Sequence, residues 1–323
     1  MTKTHHVLSL IRSHADGDHA HFLAVAASIA ADAEASGRMK VARDIRLVTD
    51  RAKLELERPK PVTPPIRSEL SSLIRGAYPD IDLGNLVLSD ELRVRIQRII
   101  REHEHRDALL EKNLQPRRKI LLSGPPGTGK TMTAAAVAGT LKMPLYTISL
   151  DGVITKFMGE TAAKLRLIFD AMQDAPGVYF FDEVDALAAS RDRDNDVGEA
   201  RRMLNSFLML MEEERSSSLI LAATNHRNLL DKALFRRFDA ALMYEKPSRD
   251  NARVLIETRL SMFDLSGLEW DIVLNEAKDL SQNEIISGAE DAARESILDH
   301  NGELTTVILT EALRDRQSVR PGA

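Results

Sequence analysis

Gly124-Pro125-Pro126-Gly127-Thr128-Gly129-Lys130-Thr131 is a loop whose residue types suit phosphate. Its glycines let the backbone bend sharply and turn N–H groups inward around anionic oxygens. Lys130 would bring a positive charge to the β- and γ-phosphates, and the Thr131 hydroxyl is placed to ligate Mg²⁺. The flanks fit this reading. Ile120-Leu121-Leu122 is a short apolar run typical of a buried strand, and Met132 to Ala138 is rich in helix formers. Strand, glycine loop and helix N-terminus together make an anion site, so nucleotide binding is expected.

A second motif answers the first. Val178-Tyr179-Phe180-Phe181-Asp182-Glu183 is an apolar strand ending in two carboxylates, an expensive choice unless they work, because desolvating a carboxylate is costly. Asp182 can hold Mg²⁺ through water, and Glu183 can orient and polarise an attacking water. Leu219 to Thr224 is another buried strand, and it ends in Asn225, an amide that either caps a loop or positions the water near the γ-phosphate. Arg236 and Arg237 follow just past a helical stretch.

In order and spacing these pieces resemble the AAA clade of the AAA+ ATPases, the group containing katanin, spastin, the proteasomal ATPases and the membrane AAA proteases. The resemblance runs from about Leu88 to Gln317 and is most specific over Ala223–Asp239. It implies ATP and Mg²⁺ as cofactors, Asn225 as the first sensor, and arginines reaching into a neighbouring subunit's site. A finger supplied in that way can be worth ~10³–10⁵ in rate. It also implies a homo-oligomeric head-to-tail ring, by family a hexamer. Many members space these arginines as Arg-x-Gly-Arg-Phe-Asp; here Arg236 and Arg237 are adjacent, and Arg237 aligns better with the residue before Phe-Asp.

Ser287-Gly288-Ala289-Glu290 matches the family's lid motif, which makes Gly288 and Ala289 candidate adenosine contacts. Lys156-Phe157-Met158-Gly159 stands where the family places an aromatic loop that lines the central pore and grips a polypeptide. By periodicity alone Phe157 and Met158 would be core residues introducing a helix. Ser190 to Asp196 stands at the second pore loop and otherwise reads as a solvated turn.

The elements that must position these residues can be read from pattern. Apolar runs alternate with helical patterns from Ile120 to Glu245, which predicts an α/β fold with a mostly parallel sheet flanked by helices. Strands are expected at Leu145–Leu150, Val178–Phe181, Leu219–Ala223 and Ala241–Tyr244, and a helix capped by Ser89 reaches about Glu104. Beyond Pro247 only helical patterns remain, near Ser248–Met262, Asp271–Asp279, Gln282–Asp299 and Thr310–Arg316. Residues 5–55 read as three helices, the last two over Phe22–Ala35 and Ala42–Leu54, and Glu57 to Pro65 is too proline-rich for either element. The expected domains are an N-terminal helical docking domain at 1–56, a linker at 57–66, an α/β nucleotide-binding subdomain at 67–246 and a helical lid at 247–323.

The chain has 323 residues, a formal net charge of −5 and no cysteine. That composition excludes disulfides, zinc–thiolate sites and thiol catalysis, and offers no basic block for nucleic acid. His103-Glu104-His105 lacks the i, i+4 spacing of a zinc protease. With no secretion signal and no run of ~20 apolar residues, a cytoplasmic protein without a membrane partner is expected. The leading reading is an ATPase ring that unfolds or threads a protein partner. Its alternatives are an ATP-driven assembly switch acting on a partner such as a separate protease, and a nucleic-acid-associated helper.

Overall fold

The computed structural model describes residues 9, 13, 19–35, 37–43, 45–47, 49, 73–153, 158–188, 196–226 and 235–318. The chain divides into two compact units, Met1–Val62 and Thr63–Ala323. In the first unit α1 spans His19–Ala35 and buries Leu23, Ala26, Ala30 and Ala33 along one face. Helical residues resume at 39–43 and 45–47, three residues earlier than Ala42, and Arg46 reaches back to pair with Glu34. The proline-rich linker lies outside the described residues.

The second unit is built on a six-stranded sheet in the order β1-β3-β4-β5-β2-β6. Its strands are β1 Ile74–Ala77, β2 Lys119–Ser123, β3 Leu145–Ser149, β4 Val178–Asp182, β5 Leu219–Thr224 and β6 Ala240–Met243. All neighbouring pairs are parallel except β1 with β3, where Ile74 faces Ile148. Parallel strands covered on both faces read as continuous apolar runs, which is why β2, β4 and β5 were legible. The antiparallel edge strand β1 was not expected: only Ile74 is buried, and the next three residues, Arg75, Gly76 and Ala77, are exposed. Leu150, expected to end β3, instead opens α5, Leu150–Val153.

Alternating side chains feed two cores. Ile120, Leu122, Val178 and Phe180 join α2 (Asp90–Glu104) and α4 (Lys130–Leu141) on one face. Leu121, Tyr179 and Phe181 join α6 (Met158–Asp174) and α7 (Asp196–Glu213) on the other. Phe181 meets Phe207 edge-on at 5.2 Å and stacks on Phe169 at 5.6 Å, fixing the strand end that carries Asp182. At the start of α2 the Leu92 N–H donates to Ser89 Oγ, the expected cap. The short α3, Arg106–Leu110, follows it.

A third core belongs to α8 Arg249–Arg259, α9 Trp270–Glu276, α10 Gln282–Asp299 and α11 Thr306–Ser318. α10 opens with a capping box: Glu284 N–H donates to Ser281 Oγ and Ser281 N–H to Glu284 Oε2. Among the described residues no helix is long and apolar enough to cross a membrane.

Candidate active site

The order β4-β5-β2 brings three strand ends together at the carboxyl edge of a parallel sheet, where open α/β sheets hold their ligands. Ser123 of β2 pairs with Thr224 of β5, and Phe181 of β4 with Ala222. Asn225 therefore leaves the sheet between the glycine loop on one side and Asp182-Glu183 on the other. It is half-buried, and the turn beyond it is held by His226 N–H donating to Thr224 Oγ1 at 3.1 Å.

The glycine loop is tied down at both ends. Gly124 N–H donates to Thr224 O, and a Cβ at Gly124 would stand 2.3 Å from Tyr244 O, so only glycine lets β6 approach this closely. Thr128 Oγ1 donates to Pro125 O at 2.8 Å. Gly129, at φ 94°, forms the N-cap of α4 and offers no side chain to the helix's first N–H groups. Those donors are thereby left for an anion. Lys130 is 7% exposed and its Nζ donates to Gly124 O and Pro125 O, both at 2.8 Å. Burial pushes its ammonium below the usual lysine range, opposed by the charges of Asp182 and Asp185.

Asp182 is half-buried and hydrogen-bonds the Thr131 side chain; its Oδ1 also accepts from Glu183 N–H at 3.0 Å. Burial raises its carboxyl above the usual range, opposed by the Glu183 N–H, Lys130 and Thr131, while Asp185 adds to the rise. Glu183 is exposed and adopts φ 55°, a left-handed backbone that non-glycine residues rarely take. Strain of this kind collects at functional positions. The two loops separated by about 50 residues in sequence thus meet through Thr131 and Asp182, an arrangement that can bind phosphates and hold a water in reach of a carboxylate.

Arg236 and Arg237 lie elsewhere. Asp239 Oδ2 accepts from the N–H groups of Arg118 and Lys119 at 2.8 and 2.9 Å, at the start of β2. The glycine loop follows the other end of that five-residue strand, a separation of about 17 Å. Phe238 is buried and Phe235 packs against the core, so the arginine turn is anchored by its aromatics. Arg236 is exposed, whereas Arg237 pairs with Glu212 of α7.

Gly288 and Ala289, the candidate adenosine contacts, are buried in the helical core. A Cβ at Gly288 would stand 2.9 Å from Leu313 Cδ2, so small residues here let α10 and α11 approach closely. The part of α10 that meets the loop is its first turn, a contact between distant segments that sequence reasoning missed. Asn283 N–H donates to Gly127 O at 3.0 Å, and Gln282 Nε2 donates to Val87 O at 3.0 Å. Gly127 sits at φ 71°, and a Cβ there would lie 2.6 Å from Ser281 Oγ. Gly127→Ala should therefore lose ~1–2 kcal/mol to the left-handed backbone alone, with the contact adding to it. A lower thermal midpoint with weakened nucleotide binding is the expected result, measured by melting and by titration with a fluorescent ATP analogue. Lys156 and Phe157 lie outside the described residues, as do residues 190–195 of the second candidate pore loop, and of Met158 and Gly159 only the helical backbone is described.

Comparison with known proteins decides what the arrangement belongs to. The family model for "ATPase family associated with various cellular activities (AAA)" matches residues 120–245, the span from β2 through β6. An uncharacterized AAA family ATPase of Sinorhizobium fredii, y4kL, is 34% identical over 230 residues, covering 70% of this chain and 69% of that protein. The chain belongs to the AAA family of ATPases. As an AAA ATPase it binds and hydrolyses ATP. It is also similar to a cell division cycle protein 48 homolog of Archaeoglobus fulgidus, 31% identical over 70% of this chain and 31% of that one. An ATP-dependent zinc metalloprotease FtsH of Sulfurovum sp. is 30% identical over 68% of this chain and 34% of its own. The AAA chain thus spans about a third of the length of these two relatives. The crystal structure of the FIGL-1 AAA domain matches 82% of this chain and 94% of its own with a TM-score of 0.63 at 22% identity, a likeness of fold.

Mg²⁺, which such ATPases imply, fits the residues present. The Thr131 hydroxyl and Asp182 carboxylate are hard oxygen donors, and Asp185 Oδ1 nearby is buried with no hydrogen-bond partner among the described residues. Among those residues no group of three or more His, Cys, Asp or Glu could hold a metal alone, which suits a cation that shares phosphate oxygens.

Proposed function

We propose that this AAA ATPase assembles as a homo-oligomeric ring, by family a hexamer, and uses ATP hydrolysis to remodel or unfold a protein partner. The observation that carries the ring is the position of the arginines. Arg236 and Arg237 shortly precede Asp239, which binds the start of β2 a strand's length from the glycine loop of their own chain, and Arg236 is exposed. An arginine so placed serves a phosphate site only from a neighbouring subunit, and head-to-tail contacts that close make a ring. Kinship with a protein named as an ATP-dependent zinc metalloprotease supports a protein client.

Within each site, the loop from Gly124 to Thr131 holds the phosphates and Lys130 turns from its own carbonyls to the β- and γ-oxygens. Thr131 and Asp182 hold Mg²⁺, which when bound neutralises phosphate charge. Glu183 orients and polarises the attacking water, and Asn225 between the two loops fixes its position. α10 meets the loop where Asn283 N–H donates to Gly127 O. Residues 1–56 form a docking domain joined by the linker 57–66 to the α/β subdomain 67–246 and lid 247–323.

The test is which ligand speeds ATP turnover and what Phe157→Ala does to the response. Unfolded protein, not DNA, should stimulate the wild type. Phe157→Ala should keep basal hydrolysis and assembly yet stop ATP-dependent unfolding of a model substrate. Full unfolding by a well-folded variant would favour an assembly switch over threading, and stimulation by DNA alone would favour the nucleic-acid helper. A variant that melts far below wild type would make Phe157 a core residue, since deleting a buried Phe costs ~3–5 kcal/mol.

A further inference from the structure

Asp185 lies in the 3₁₀ turn Val184–Ala188 that follows β4, two residues beyond Glu183. It is only 8% exposed, and its Oδ1 has no hydrogen-bond partner among the described residues. A buried polar atom left unmet is costly, more so when charged. Each such atom in a folded protein needs an explanation, and an ion or water with a function is one of the few available.

The surroundings narrow the choice. Asp185 lies close enough to Lys130 and Asp182 for its charge to act on both. Lys130 Nζ donates to two carbonyls of its own loop, and Asp182 is engaged by Thr131 and by the Glu183 N–H. Two carboxylates, Asp182 and Asp185, therefore act on one ammonium, and the imbalance favours a divalent cation over a free anion. Yet they do not converge as a cage. A cation arriving with a nucleotide keeps several of its waters, and those waters are donors seeking acceptors.

We propose that Asp185 is a positioning residue for the hydrated Mg²⁺ that accompanies ATP, its buried Oδ1 accepting a hydrogen bond from the cation's water shell. This rests on the nucleotide-site reading above. Partners of this outer kind typically account for 10–100-fold in metal affinity.

The experiment compares binding of a fluorescent ATP analogue to the full chain with Mg²⁺ and with EDTA. The ratio of the two affinities measures what the cation contributes. In Asp185→Asn that ratio should fall ~10-fold or more, while binding in EDTA stays equal or tightens because one negative charge near the phosphates is gone. A loss of equal size in both conditions, or an unchanged ratio, would overturn the inference. Melting curves check the fold, and Asp185→Ser is the second variant; failure of both to fold would make Asp185 structural and also overturn it. A wild type that binds the analogue in neither condition would instead bring down the nucleotide-site reading itself.

Discussion

Glu183→Gln should bind ATP with near wild-type affinity and lose turnover by ~10²–10⁴-fold. The reasoning is local. The phosphate contacts belong to Gly124–Thr131, and the link between the loops runs through Thr131 and Asp182, so neither depends on the Glu183 carboxylate. The amide keeps the size of the side chain and the left-handed backbone at φ 55°, while removing the charge that polarises water. The check is phosphate release under saturating ATP alongside analogue binding. Turnover near the wild-type rate would remove Glu183 from the chemistry, and loss of binding would give it a structural role.

Arg236→Ala should cost more, ~10³–10⁵ in turnover, if the arginine completes a neighbour's site. The two adjacent arginines are not equivalent in the fold. Arg237 pairs with Glu212 on α7 of its own chain, whereas Arg236 is exposed between the anchored Phe235 and Phe238. A half-exposed ion pair contributes little, roughly 0–1 kcal/mol, so Arg237→Ala should be the milder substitution. Mixing Arg236→Ala subunits with Glu183→Gln subunits separates shared from private sites. Some interfaces then join an intact Glu183 to an intact Arg236, and activity should return although each variant alone is dead. A mixture that stays inactive, with subunit exchange verified, would rule out the shared site.

Much of the site was legible in the chain because its parts are local. The glycine loop, the strand-ending Asp182-Glu183 and Asn225 are each contiguous with an apolar run, and a parallel strand buried on both faces leaves such a run in plain view. Caps are equally local, as at Ser89, which stands one residue before α2. β1 escaped because an edge strand buries only Ile74 and leaves no alternation to detect.

What the sequence alone determined is therefore the set of chemical groups and the strands and helices that carry them, since periodicity, turns and caps act over a few residues. Only the tertiary structure decided which groups meet. Sheet order set Asn225 between the two loops and Asp239 against the far end of β2 from the phosphates. Helix packing set Gly288 and Ala289 in the lid core and brought Ser281–Asn283 onto Gly127. The turn after β4 buries Asp185 with an oxygen that has no hydrogen-bond partner among the described residues. Burial and contact are properties of residues far apart in the chain, and no local pattern records them.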